Sequence, residues 1–163
     1  MTAHPVRPRR SADEQARLHR RIVELFERRV RFNEVIGLEV TSLDPTEPKL
    51  RFRMRPELIG NDAYGQLHGG VTAAALDTTA GFALTVALCE KFADEPADVA
   101  MARFARIGTI DLRIDYLRRG LGQWFEASAK VTRLGGRIGS VQMALHADDG
   151  TLIATGAAAF TVG

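Results

Sequence analysis

A chain of 163 residues with 45% hydrophobic and 26% charged side chains has the size and composition of one globular domain, and a net charge of +2 gives no global field toward nucleic acid or an anionic membrane. The uncharged stretches contain Gly, Thr, Gln and His and never reach a clean run of about 20 apolar residues, so no membrane span is expected. The N-terminal MTAHPVRPRRSADEQ has no apolar core of a secretion signal, and a cytoplasmic protein is expected. The one cysteine, Cys89, excludes an intrachain disulfide and a cysteine-based zinc site, and its alanine-rich surroundings suggest packing.

The mild basicity is local. Residues 1 to 31 hold nine Arg against Asp13, Glu14, Glu24 and Glu27, a surplus of five that leaves the remainder at −3. In SADEQARLHRRIVELFERRVRF, Ser11 and Glu14 form a capping box, and Leu18, Ile22, Leu25, Phe26 and Val30 make one apolar stripe. The arginines then take the solvated face of a packed amphipathic helix. A nucleic-acid contact is the weaker reading, because the chain supplies neither a helix-turn-helix nor an aromatic stacking surface. Residues 1–32 are expected to be a helical extension on a domain spanning 33–163.

Beyond it, FNEVIGLEVTSLD reads as a loop running into a strand, and Asp44 to Pro48 as a turn. In LRFRMR, Leu50, Phe52 and Met54 alternate with Arg51, Arg53 and Arg55, the period of a strand with one buried face. Pro56 to Gln66 reads as a loop. From about His68 to Lys91 the chain is rich in Ala and Leu and apolar on most sides, which predicts a helix buried nearly all round. Asp94 to Gly108 is a polar excursion or short helix. TIDLRIDYL then alternates, with Ile110, Leu112, Ile114 and Tyr116 on one face. Further strands are expected at 122–133, 137–147 and 151–162, with Gly135-Gly136 and Asp148-Asp149-Gly150 as hairpin turns. The class is α+β, a curled antiparallel sheet wrapping one central helix.

Chemistry concentrates on that helix. Asp77 is the one acidic or basic side chain between Asp62 and Glu90, and an acid in so apolar a segment costs several kcal/mol unless it is satisfied. The helix starts at His68-Gly69-Gly70, where glycines let a ligand approach the free first-turn amides and the positive end of the dipole. This is a possible oxyanion hole for a thioester carbonyl; the alternative is that His68 caps the helix and the glycines only allow close packing. Asp77 lies seven residues beyond Gly70, roughly 10 Å along the axis. One chain cannot bring both to one carbonyl, whereas two chains paired about a twofold with these helices antiparallel can, making two shared sites. Asp77 would then act as general base toward water or as nucleophile. Its alternative is a buried acid bonded to Thr78, Thr79 or a backbone amide.

The segment LHGGVTAAALDTTAGFA, with TIDLRIDYLRRG and RLGGRIGSVQMALHADDGTLIATGAAAFTV downstream, closely resembles the hotdog-fold acyl-CoA thioesterases of the phenylacetate-pathway type over residues 33 to 162. The resemblance implies hydrolysis of acyl-CoA to free acid and CoA, without metal or redox cofactor, at sites between the subunits of a homodimer, with a dimer of dimers open. It implies that Gly69, beside Gly70, donates its amide to the thioester carbonyl, that His68 assists, and that Asp77 of the partner subunit is the catalytic carboxylate. Thr109 takes the place of the family's hydroxyl residue near that carboxylate, with a plain strand role as its alternative. The family's Asn six residues before the His falls here on Asp62; a one-residue insertion, favoured by the spacing of Gly65 and Leu67 to His68, would make Asn61 its counterpart, and the alternative is that this contact is lost. Gly136 and Arg137 map to the CoA entrance, and Arg118 and Arg119 are further cations for the CoA phosphates, unless they are simply solvated. His4, His19 and His146 read as incidental. Two other functions fit less well: a hydratase or dehydratase on acyl thioesters, whose catalytic His normally sits in a different local pattern, and a non-catalytic acyl-CoA sensor, which retention of Asp77 argues against.

Overall fold

The computed structural model describes residues 9–163, so His4 lies outside it. The chain begins with α1 (Ala12–Glu24), a π-helical turn (Leu25–Arg29) and α2 (Arg31–Ile36). Strands β1 (Glu39–Ser42) and β2 (Lys49–Arg53) follow, then a small ribbon of β3 (Ile59–Asn61) and β4 (Gln66–Leu67). The central helix is α3 (Gly69–Lys91), succeeded by α4 (Ala97–Ala102) and the long strands β5 (Gly108–Tyr116), β6 (Trp124–Leu134), β7 (Ile138–Ala147) and β8 (Leu152–Thr161). Six strands form one antiparallel sheet in the order β1-β2-β6-β7-β8-β5.

The sheet wraps α3, as its lack of a polar face requires. Leu76, Ala80, Phe82, Ala83 and Leu84 have no exposed surface. Phe82 meets Phe26 edge to face at 5.0 Å between centroids, and Leu50, Phe52 and Phe125 close the core from β2 and β6. Among the described residues α3 alone has the length and apolarity to cross a membrane, and the sheet and N-terminal helices use that apolarity as core instead.

Four local expectations change. Ser11 caps α1 by accepting the Glu14 N–H at 3.2 Å, but the Glu14 carboxylate turns to the Ala97 N–H and Arg17, so the box is only half formed. The arginines of α1 are not merely solvated: Arg17 and Arg21 pair with Asp98, because α4 lies across the face that periodicity marks as polar. The segment read as a loop after Phe32 holds α2. Its Asn33, 1% exposed, donates to the Phe26 carbonyl and accepts from the Thr78 hydroxyl, and Gly37 in the left-handed region (φ 77°) ends the helix. Six residues are too few to show a helical period. The loop read at 56–66 contains the β3–β4 ribbon, whose three-residue and two-residue strands are too short to alternate visibly.

Strand β5 departs from its pattern for a different reason. It is a sheet edge with a bulge between Thr109 and Asp111, which puts Ile110 (53% exposed) out of phase with Leu112 and Ile114 on the core, while Tyr116 (56%) keeps their face but lies at the exposed end of the strand. Nine residues of unpaired edge are an open invitation to another strand.

Because Phe82 is buried on every side of the helix that fills the sheet, Phe82→Ala should cost about 3 to 5 kcal/mol, measured by urea unfolding.

Candidate active site

The start of α3 is held from three directions. The His68 N–H donates to the Leu58 carbonyl at 2.8 Å, and the Leu67 N–H to the Gly120 carbonyl at 2.9 Å. Gly60 lets the ribbon lie against His68, since a Cβ there would stand 2.6 Å from His68 Cα. His68 is the N-cap in extended conformation, and its Nδ1 accepts the Gly70 N–H at 2.8 Å. A backbone amide only donates, so Nδ1 is unprotonated and the neutral ring carries its proton on Nε2. The cap role is therefore real, and it leaves an N–H donor facing outward.

The first-turn amides are divided unequally. Val71 and Thr72 donate to the His68 carbonyl at 3.0 and 3.2 Å, and Gly70 to the His68 ring. Among the described residues the Gly69 N–H has no acceptor. Gly70 faces solvent, but its amide is already engaged, so the free donor is Gly69. Tyr116, at the end of β5, donates its hydroxyl to the Gly69 carbonyl at 2.8 Å.

Asp77 lies further along α3, half-buried, and its Oδ1 accepts the Thr109 hydroxyl at 2.9 Å. Thr109 thus departs from a plain strand role and meets the carboxylate from the edge strand. Eight residues separate Gly69 from Asp77, about 12 Å of helix. The edge strand joins them: Thr109 stands at its beginning beside Asp77, and Tyr116 at its end beside Gly69.

The remaining residues fall at the two ends of that strand. Arg118 donates to the Leu152 carbonyl at 3.2 Å, and the Arg119 guanidinium lies 4.4 Å from the centre of the Tyr64 ring, both near the Gly69 end. Gly136 and Arg137 are exposed in the β6–β7 turn at the opposite end, because Thr161 pairs with both Gly108 and Ile138. Asn61 is exposed on β3 across from Gln66, and its side chain makes no hydrogen bond among the described residues. The turn between them uses Gly65 at φ 59°. Sequence reasoning missed Tyr64 and Tyr116 as site neighbours, and also Phe32 and Val35, which are 58% and 64% exposed on α2, the helix tied through Asn33 to Thr78. The exposed apolar pair is visible only once α2 is known to be a helix. Among the described residues no cluster of three or more His, Cys, Asp or Glu is placed to hold a metal ion.

The sheet curled round a single helix is the hotdog fold, and the comparisons with known proteins agree. The sequence pattern of the thioesterase superfamily matches residues 64–154. A crystal structure from Shewanella oneidensis, described as related to the thioesterase superfamily, shares 38% identity, with a TM-score of 0.87 over 94% of this chain and 100% of that one. The medium/long-chain acyl-CoA thioesterase YigI of Salmonella typhimurium is 36% identical over 140 residues, which is 86% of this chain and 90% of that protein. YigI of Escherichia coli K12 is 35% identical over the same shares. The chain belongs to the thioesterase superfamily. It is a thioester hydrolase.

Cys89 takes no part in the site. Burial pushes its thiol up to about 11, with Arg10 a smaller opposing influence, so it stays protonated below that pH. Native protein should therefore react with Ellman's reagent far more slowly than urea-unfolded protein, which should release one thiol equivalent.

Proposed function

We propose that this chain hydrolyses medium- or long-chain acyl-CoA to free acid and CoA in the cytoplasm, at sites shared between two subunits in the manner of the phenylacetate-pathway type. The observation that carries the proposal is the open edge strand, which has an acceptor-free amide at one end and a hydroxyl-bound carboxylate at the other. Antiparallel pairing of β5 with its own copy, about a twofold near Leu112 and Arg113, sets Thr109 of one chain opposite Tyr116 of the other. That pairing also moves Asp77 of the partner subunit toward Gly69. It joins Gly136 and Arg137 of the partner subunit with Arg118 and Arg119 around one entrance, a set of cations suited to the CoA phosphates. The substrate class is drawn from the YigI relatives, whose names specify medium and long chains. Phe32 and Val35 supply exposed apolar surface on α2, the helix tied through Asn33 to Thr78 next to Asp77, and each buried methylene of an acyl chain is worth about 0.8 kcal/mol.

In this reading the thioester oxygen accepts from the Gly69 N–H and the His68 Nε2–H. The Thr109 proton is committed to Oδ1 of Asp77, which leaves Oδ2 to take a proton from water and the Thr109 oxygen to accept the water's other hydrogen. This seat for water favours general-base attack over direct attack by Asp77. Hydroxide adds to the carbonyl carbon, the two donors stabilise the tetrahedral oxyanion, and its collapse breaks the C–S bond. The departing thiolate takes the proton held by Asp77.

Two substitutions separate the halves of the site. Asp77→Ala should lower kcat by about 100-fold or more on a medium-chain acyl-CoA. Gly69→Pro removes the free amide at the one helical position that suits proline, and should cost about 100- to 1000-fold in kcat with helix content retained by circular dichroism. Heterodimers of the two variants should regain turnover, because each holds one intact site; inert heterodimers would refute the shared site. Full activity in Asp77→Ala would refute the mechanism, and tight acyl-CoA binding without turnover by the wild type would point to a sensor.

A further inference from the structure

Tyr116 has no part in the scheme above, yet its side chain is placed for one. Its hydroxyl donates to the Gly69 carbonyl at 2.8 Å, and its ring lies over Gly69, where an added Cβ would stand 3.4 Å from Cε1. More than half of the residue is exposed, so its contribution to core packing is small and its hydrogen bond is the specific feature.

The Gly69 carbonyl and the Gly70 N–H belong to one peptide group. A hydrogen bond accepted at the oxygen polarises the group and makes its N–H a stronger donor. That N–H is the one His68 Nδ1 accepts. A continuous chain thus runs from the phenol through the peptide to the imidazole, and ends at the outward Nε2–H. Both His68 and Gly70 are exposed, so water competes for each of these groups whenever the first turn frays. Pinned at both its oxygen and its nitrogen, the Gly69–Gly70 peptide keeps its plane, and the turn that carries the free Gly69 amide keeps its direction.

The geometry points to Tyr116 as a positioning residue for the carbonyl-binding donors: through the Gly69–Gly70 peptide it holds His68 in the Nε2–H form and fixes the first turn of α3. The inference rests on the proposed reading, in which Gly69 and His68 bind the thioester oxygen. It also assigns a use to the edge strand's last residue, which twofold pairing of β5 sets opposite the partner's Thr109.

Tyr116→Phe keeps the ring and deletes the bond. It should lower kcat by about 10- to 100-fold, the cost of donors slightly out of place, with KM on acyl-CoA changed less than about threefold. Nitrogen-15 spectra of the histidine rings, with His68 assigned by a His68→Gln variant, should show one Nε2–H form in wild type and a mixture of tautomers in Tyr116→Phe. A lower Tm with unchanged kcat and an unchanged His68 spectrum would overturn the inference and leave Tyr116 a structural residue. The spectrum needs no turnover, so it tests the link even if Asp77→Ala retains activity and the proposed reading falls. Loss in Asp77→Ala with no effect of Tyr116→Phe on rate or spectrum would remove this inference alone.

Discussion

A helix with no polar face must be covered along its whole length, and everything else in this chain follows from covering α3. The sheet curls because a flat one would leave one flank of Leu76, Ala80 and Leu84 in water. The N-terminal helices close the remaining flank with Leu18, Ile22 and Phe26, which belong to the same core as the sheet residues. Close wrapping also sets steric limits: Gly139 on β7 has no room for a Cβ, which would stand 2.5 Å from Leu84 Cδ2. Polar chemistry on such a helix is confined to the places where the wrapping stops. Those are its first turn and the strip beside the sheet's open edge, where Asp77 meets Thr109.

In the proposed reading, the open edge is the reason a single chain holds the parts of a site without assembling it. Strand β5 is both the boundary of the wrap and the ruler between the two functional ends, with Thr109 and Tyr116 at its extremes. A long exposed edge is normally a hazard that proteins blunt with charge, and Asp111, Arg113 and Asp115 provide some of that here. In the proposed dimer, an edge that also carries exposed Ile110 and Tyr116 becomes one half of a symmetric pairing. In that pairing the separation of about 12 Å along α3 becomes the spacing between two equivalent sites.

How much of this was legible in the sequence depended on the length of each signal. The uncharged run around Asp77 and the strict alternation of LRFRMR extend far enough for periodicity to show helix and strand directly. The His-Gly-Gly tripeptide marked the helix start, though not that His68 would consume the Gly70 amide and leave Gly69 as the free donor; that division depends on the His68 rotamer. The short helix α2 and the β3–β4 ribbon stayed hidden because their identity comes from tertiary partners, Asn33 with Thr78 and Leu67 with Gly120. Tyr116 sits in a clear alternating strand, and alternation placed it on the buried face. It does share that face with Leu112 and Ile114, but at the end of an edge strand it reaches the first turn of α3 and stays exposed there.

The two ends of α3 show the same constraint resolved in opposite ways. At the C-terminus the carbonyls of Cys89 and Phe92, with that of Glu95 beyond, all accept from the guanidinium of Arg10, an arginine from the segment that looked merely basic in sequence. That closes the negative end of the dipole with a fixed cation and hydrogen bonds, the usual way to satisfy orphan carbonyls. At the N-terminus three of the first four amides are taken by His68, and one is left open at Gly69. Here the half-buried open donor sits at the positive end of the dipole, and in the proposed reading an arriving oxyanion meets that partial charge. Arg10 therefore closes one end of α3 for stability, and in the proposed reading the open amide at Gly69 is the donor left for the substrate.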